Sequence, residues 1–285
     1  RLIPFLFLCY ILAYLDRVNV GFAKLQMGAD LGLSDTVYGM GAGIFFIGYF
    51  FLEVPSNLML TRVGARRWIA RIMILWGLIS AGTMFIEGRT SFYALRFLLG
   101  AAEAGFFPGI ILYLTYWFPR AYRARMVACF MTAIPLAGVL GGPLSGWILK
   151  AMAGVAALKG WQWLYLIEGL MPLLAGLGVL RFLDDGPAAA AWLSPAEKAL
   201  VLEQTCGDGA GVAPASTFRD AFASGKVWLL AALYFCLVMG LYGISFWLPQ
   251  ILEESLTRDS FRIGLLSAIP WSVAAVAMVL HGLHS

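Results

Sequence analysis

The sequence predicts an all-α membrane protein, and three observations carry that expectation. Hydrophobic residues make up 61% of the 285 residues and mean hydropathy is +0.82, against roughly 45–50% apolar content in soluble domains. Only 13% of the residues are charged. The apolar residues fall in blocks of about twenty, the length a helix needs to cross a hydrocarbon core, rather than in the narrow stripes of an amphipathic soluble bundle.

The blocks lie at about 3–24, 37–59, 68–86, 91–118, 126–149, 161–183, 227–251 and 262–281. Arg62, Arg66, Arg67 and Arg71 follow the second block, and Arg120, Arg123 and Arg125 follow the fourth, whereas the alternate loops carry Asp30 and Asp35, Glu87 and Arg89, then Lys150 and Lys159. Positive residues mark cytoplasmic loops, so both ends of the chain are expected in the cytoplasm. The first block lacks a small-residue cleavage site and contains Asp16 and Arg17, unlike a signal peptide. The chain begins at Arg1 and ends directly after an apolar block, so a longer parent protein is expected.

A polar interval at about 184–226 divides six spans (1–183) from two (227–285), as a cytoplasmic linker between two membrane units. Within it Ser194, Pro195 and Glu197 predict a short helix to about Gln204, with Ser194 as N-cap and Glu197 closing a capping box. A Gly/Ala/Pro stretch including Pro214 follows, and the simplest role for the interval is a tether. A faint echo of Val37–Ala42 in Arg262–Ser267, each opening a span, fits two related halves.

Several function classes are excluded. Net charge is +4 without a basic nucleic-acid surface, so no nucleic-acid partner is expected. No GxSxG, HExxH or P-loop occurs, and Gly39-x-Gly41-x-Gly43 lies in an apolar span rather than after a strand, which argues against an enzyme and against a cofactor. Cys9, Cys129, Cys206 and Cys236 are widely spaced and read as packing residues, not disulfides or metal ligands. His281 and His284 stand three residues apart, too few ligands for a metal site.

The polar residues inside the spans are the informative ones. In the fourth span Arg96 and Glu103 are two helical turns apart and share a face with Gly100 and, approximately, Phe107. A lone ion at the bilayer centre costs on the order of 3 kcal/mol, so this face is expected to look into a wet or protein-lined interior. In the first span Asp16 and Arg17 point about 100° apart, better placed to pair with other helices than with each other. They reach a depth comparable to Arg96 and Glu103 unless they snorkel to the outer surface.

In the second span Glu53 suits either a partner for the basic loop that follows or a transport role. Tyr49, nearby, suits core packing with a hydroxyl that needs a partner. Glu168 in the sixth span has no partner legible in the sequence. Gly39 with Gly43, Gly105 with Gly109, and Gly138 with Gly142 and Gly146 have the four-residue spacing of close helix packing. In the fifth span Gly138, Gly142 and Pro143 are also candidates for a place where one bundle rocks on the other.

Taken together, these residues resemble the major facilitator superfamily, and within it the anion:cation symporters of organic acids such as hexonates, tartrate, phthalate and hydroxyphenylacetate. The resemblance covers essentially the whole chain. It is carried by Asp16-Arg17-x-Asn19, by Arg96-x-x-x-Gly100-x-x-Glu103-Ala104-Gly105-x-x-Pro108, by Trp161-Gln162-Trp163 with Glu168-Gly169, and by Phe246-Trp247-Leu248-Pro249. The stretch Asn57 to Arg67, with Arg62, Gly64, Arg66 and Arg67, is similar to the signature between the second and third helices, with Asn57 for the usual glycine and Thr61 for the usual aspartate.

The resemblance implies a major facilitator fold with a complete N-terminal six-helix bundle and the first two helices of the C-terminal one. It implies a monomer in a bacterial inner membrane whose partners are a small organic anion, protons and the bilayer. It also implies proton symport by alternating access. Arg17 and Arg96 would attract the substrate carboxylate, Tyr49 and Tyr242 would orient it, and Asp16 and Glu103 would carry protons. Arg62, Gly64, Arg66, Arg67, Gly138, Gly142 and Pro143 would serve gating or structure. Met131 to Pro135 in the fifth span offers little amide or carboxyl chemistry, which points to a less hydroxylated, aromatic acid. The rivals are a sodium-coupled or exchange carrier of the same fold and a membrane sensor that binds without translocating.

Overall fold

The computed structural model describes residues 2–206 and 222–284, without the side chains of Cys206 and of 281–284. The stretch around Pro214 and the side chains of Cys206, His281 and His284 therefore lie outside the described residues. The elements are α1 (Leu2–Asp30), α2 (Asp35–Val63), α3 (Ala65–Gly82), α4 (Arg89–Glu103), α5 (Phe106–Trp117), α6 (Arg120–Met131), α7 (Ala133–Ala151), α8 (Gly160–Phe182), α9 (Pro195–Cys206), α10 (Gly225–Ser255) and α11 (Ser260–His284). Pairing α4 with α5 and α6 with α7 gives 8 spans long and apolar enough to cross a membrane, so among the described residues the fold is the all-α membrane bundle expected.

Local chemistry places the boundaries. Ser34 caps α2 by accepting from the Val37 amide at 3.3 Å. Gly64, at φ +96°, makes the turn between α2 and α3 in a conformation that side-chain-bearing residues rarely adopt. Within the polar interval Ser194 and Glu197 form the expected reciprocal cap: Ser194 N donates to Glu197 Oε2 at 2.8 Å, and Glu197 N donates to Ser194 Oγ at 3.3 Å.

The fourth span, read from the sequence as one block at about 91–118, is not a single helix. It divides at Gly105, whose φ is +84°, between α4 and α5. Pro108 supplies the reason, because it has no N–H to continue the helical ladder. Phe107, beyond the break, lines a cavity, while Arg96 and Glu103 are buried.

Backbone approach organises the bundle. α3 lies along α8, α2 along α4, and α11 along α7, while α1 is shared among α7, α8 and α10. Each interface is opened to close contact by small residues. A Cβ at Gly77 would stand 2.7 Å from the Gly169 carbonyl oxygen, and one at Gly142 would stand 2.5 Å from that of Gly264. Such approach substitutes for the hydrophobic driving force that lipid removes.

The core is layered. One apolar cluster, including Leu6, Val18, Trp76, Phe106 and Phe130, fills the end where the Arg66 loop lies. A second, including Val20, Tyr38, Phe92 and Trp161, fills the other. Between them lies a buried polar stratum of Asp16, Asn19, Ser80, Arg96, Glu103, Ser145 and Glu168.

Part of the polar interval is docked rather than a loose tether. Tyr113 donates to the Asp184 carbonyl at 2.7 Å, and the Trp192 ring stacks on Trp117 at 5.6 Å.

Candidate functional site

α1 delivers Arg17 to the boundary between the six-span unit and α10. Its Nε donates to Glu103 Oε1 at 2.7 Å, with Nη2 2.5 Å from the same oxygen. Nη1 donates to Tyr242 Oη at 3.1 Å, and the guanidinium carbon lies 5.1 Å from the Tyr49 ring centroid. Four residues chosen from separate spans thus meet at one point. The Arg17 side chain is 11% exposed and that of Glu103 is 1% exposed, so the cation faces outward and the carboxylate sits behind it.

The space they face is a cavity of about 310 Å³, lined by Tyr10, Tyr14, Arg17, Tyr49, Glu53 and Tyr242, among others. That volume suits a small ligand. Glu53 therefore belongs to the cavity wall, and among the described residues it makes no ion pair with the basic loop. The reason is reach: α2 runs ten residues past Glu53 before the loop, about 15 Å at 1.5 Å per residue.

Asp16 and Arg96 do not line this cavity. Asp16 is buried, accepting from Asn19 Nδ2 at 3.1 Å and from Ser80 Oγ. It does not snorkel. Arg96 is buried behind Phe45, its guanidinium 4.9 Å from that ring, and its Nε donates to the Gly41 carbonyl at 3.4 Å. Glu168, without a legible partner in the sequence, accepts from Ser145 Oγ at 2.7 Å.

Beyond the polar stratum α1, α2 and α10 are tied together at the opposite end, beside a second space of about 480 Å³ lined by Lys24, Asp35, Gln250 and Glu254. Lys24, two turns past Arg17 on the same face of α1, donates to Asp35 Oδ1 at 2.5 Å and to Gln250 Oε1. Its ammonium lies 4.3 Å from the Trp247 ring and 4.6 Å from the Tyr38 ring. Tyr38 donates to the Phe246 carbonyl at 2.9 Å, and Lys150 pairs with Asp259. Sequence reasoning missed Lys24, although its seven-residue spacing from Arg17 was a usable signal.

The remaining candidates are structural in their contacts. Gly138 faces the Trp271 ring, Gly142 faces Gly264, and Pro143 lies on the same α7–α11 contact. In the α2–α3 turn Arg62 and Arg67 are exposed. The Arg66 side chain donates to the Leu180 carbonyl, and its backbone N donates to Asp185 Oδ1 at 2.9 Å. Thr61, standing where the resembling family has aspartate, turns back on its own helix by donating to the Leu58 carbonyl at 2.8 Å. Asp185 from the polar interval supplies a carboxylate to this turn instead.

Among the described residues, 8 apolar spans enclose a buried polar stratum and a cavity onto which Arg17 opens. The Major Facilitator Superfamily family profile matches residues 6–285, and the chain belongs to that superfamily. It is 50% identical over 286 residues to a Pseudomonas putida protein named "Putative metabolite transport protein NicT", covering 100% of this chain and 65% of that one. It is likewise 50% identical to an Agrobacterium vitis protein named "Putative tartrate transporter", covering 100% and 63%. The chain thus spans less than two thirds of the length of these curated relatives, about 65% of the first. A bacterial homologue of the human lysosomal transporter Spinster, solved in an inward-facing and occupied conformation, superposes with a TM-score of 0.75 at 18% identity, over 99% of this chain and 60% of that one.

Proposed function

We propose that the full-length protein imports a small organic anion together with protons, by alternating access, across a bacterial inner membrane. The observation that carries the reading is the Arg17–Glu103 pair, with Tyr242 and Tyr49 around its cavity-facing side. A guanidinium is always charged and offers a planar fork to a carboxylate. A substrate carboxylate reaching Arg17 competes with Glu103 for the same donors. Once it wins, Glu103 keeps its burial and loses its cation, which favours the protonated acid. Anion and proton then bind together.

Arg96, set behind Phe45, adds a second positive charge to this region, and Asp16 is the second proton carrier. The tartrate named for one relative has two carboxylates, of which Arg17 would meet one directly while Arg96, behind Phe45, would act through its charge alone. Importing a monoanion against the membrane potential costs about 2.3 kcal/mol per 100 mV, so more than one proton is needed to draw on that potential. The positive loops place the Arg66 end in the cytoplasm, with both ends of the chain, and the cavity then lies on the cytoplasmic side of the tied end. The division at 184–226 makes residues 1–183 one membrane unit and 227–285 the start of another, in a monomer.

The test is uptake by the full-length protein in proteoliposomes under three separate drives: a proton gradient, a sodium gradient and internal substrate. Accumulation with the proton gradient alone is expected. Accumulation that follows sodium or internal substrate instead would overturn the coupling, and substrate binding undiminished in Arg96→Ala would remove that arginine from the site.

A further inference from the structure

The cavity onto which Arg17 opens carries one other charge, Glu53, to which the proton-coupled cycle gives no task. Among the described residues no further charged side chain borders that space. The Glu53 carboxylate makes no hydrogen bond or ion pair among the described residues. The Asn57 side chain, one turn on, donates to the Glu53 backbone carbonyl at 2.9 Å rather than to its side chain. Ionisable residues inside apolar spans are costly and face a partner, a cavity or a pathway. Glu53 faces the cavity.

Its place there follows from α2. The Tyr49 ring lies 5.1 Å from the Arg17 guanidinium carbon. Glu53 stands one turn beyond Tyr49 toward the Arg66 end, about 6 Å along the axis. Much of the remaining wall is aromatic: Tyr10 stacks on Phe107 at 5.3 Å, and Phe46 meets Tyr242 edge-on at 4.7 Å, all four bordering the cavity. A small ligand whose carboxylate meets Arg17 therefore presents its far end to the one acid on the wall.

We propose that Glu53 is a specificity-determining residue of this site: it reads the end of the substrate opposite the carboxylate, accepting from a hydroxyl or amine there and turning away a second carboxylate. The proposal rests on the cavity being the substrate site, as proposed above. A hydrogen bond to an ionised acceptor is stronger than one between neutral groups. Two carboxylates facing each other in a small space repel. No second cation borders the cavity to relieve them, because Arg96 lies behind Phe45. The site therefore selects a monocarboxylate with a donor-bearing tail over a dicarboxylate of the same shape.

The experiment is calorimetric titration of the full-length protein with benzoate, para-hydroxybenzoate and terephthalate. These share one ring and one carboxylate and carry hydrogen, hydroxyl and carboxylate at the opposite end. In the unmodified protein the hydroxyl acid is expected to bind about tenfold more tightly than benzoate, and terephthalate about tenfold more weakly. Glu53→Gln keeps the size and removes the charge. The hydroxyl advantage is then expected to shrink to about threefold or less, and terephthalate to recover to the level of benzoate, with benzoate itself unmoved. Glu53→Asp returns the charge and is expected to restore the order of the three acids.

A residue that only shapes the helix would shift all three acids alike, and that result would overturn the proposal. So would terephthalate binding the unmodified protein as tightly as benzoate, or no binding by any of the three. Uptake of para-hydroxybenzoate under a proton gradient is measured separately in proteoliposomes. Its absence beside the expected binding order would sink symport and leave Glu53 in its role, whereas proton-driven uptake of terephthalate in preference to the hydroxyl acid would do the reverse.

Discussion

At one end of the bundle α1, α2 and α10 converge on Lys24, which is held by Asp35, Gln250 and two aromatic rings. The tie borders a space of about 480 Å³ lined by Asp35, Gln250 and Glu254, and toward the other end the same helices, with Phe107, Met131 and Ile134, border about 310 Å³ around Arg17, Tyr49 and Tyr242. The tied end is built from backbone contact and a cation whose partner Asp35 is 65% exposed, whereas the open region ends on an ion pair whose carboxylate is 1% exposed. The difference assigns two kinds of work. The Lys24 side chain is itself 7% exposed, but its partner carboxylate stays in water, so the pair is cheaper to open than one whose carboxylate is buried, which suits a seal. A buried pair is expensive to break unless another anion replaces the lost partner, which suits a ligand-operated switch.

The largest effect expected from breaking this contrast is at Gly142. Its Cβ would stand 2.5 Å from a backbone oxygen of Gly264, which cannot repack as a side chain does. Gly142→Val is expected to disfavour the sealed end by about 3 kcal/mol, roughly a hundredfold in population. Spin labels at Thr36 and Glu254, both exposed near that end, are expected to show a wider separation.

Lys24→Met keeps the apolar stem and removes the cation. The same label pair is expected to widen with a shift of about 2 kcal/mol, the scale of hydrogen bonds to a charged group. An unchanged separation would mean that the rings and backbone alone hold the seal. On the open side, Tyr242→Phe removes one bond to Arg17 and is expected to weaken substrate binding by about 1 kcal/mol, roughly fivefold, without altering the seal. Calorimetric titration of the full-length protein reads that loss.

The smallest effect concerns pH. The Asp259 carboxyl is held below its ordinary value, first by its hydrogen bond from Lys150 and then by the Arg262 amide. A depressed carboxyl contributes above its unfolded value, near about 3.9, and that contribution is lost as pH falls through the lower folded value. The α7 tie to the α10–α11 loop is therefore expected to persist from neutral pH to the ordinary carboxylate range and to fail only below it. The label separation followed down in pH checks this, and a change already near neutrality would point to another group.

Much of this contrast was legible in the residues and some was not, for physical reasons. Asp16, Arg17, Arg96 and Glu103 stood out because ions interrupt apolar runs, and the structure buries Asp16, Arg96 and Glu103 and leaves Arg17 part-buried against Glu103. Spacing alone did not reveal that Arg96 lies behind Phe45, because helical phase gives a direction and not what stands in the way. Gly105 read as a packing residue, since its left-handed backbone is decided jointly with Pro108. Asp185 could not be matched to the α2–α3 turn because the two meet only through folding, 119 residues apart. Hydropathy also marked α1 and α10 alike as spans. Yet the most apolar window is 67% buried in α1 and 0% in α10, so apolarity identified the membrane but not the side facing protein.

The exchange of partners at Arg17 is tested most directly by Glu103→Gln in the full-length protein, reconstituted with a pH gradient and, separately, with substrate on both sides. With Glu103 neutral, substrate is expected to exchange across the membrane while accumulation driven by the gradient is lost. Undiminished gradient-driven accumulation in this variant would contradict the account.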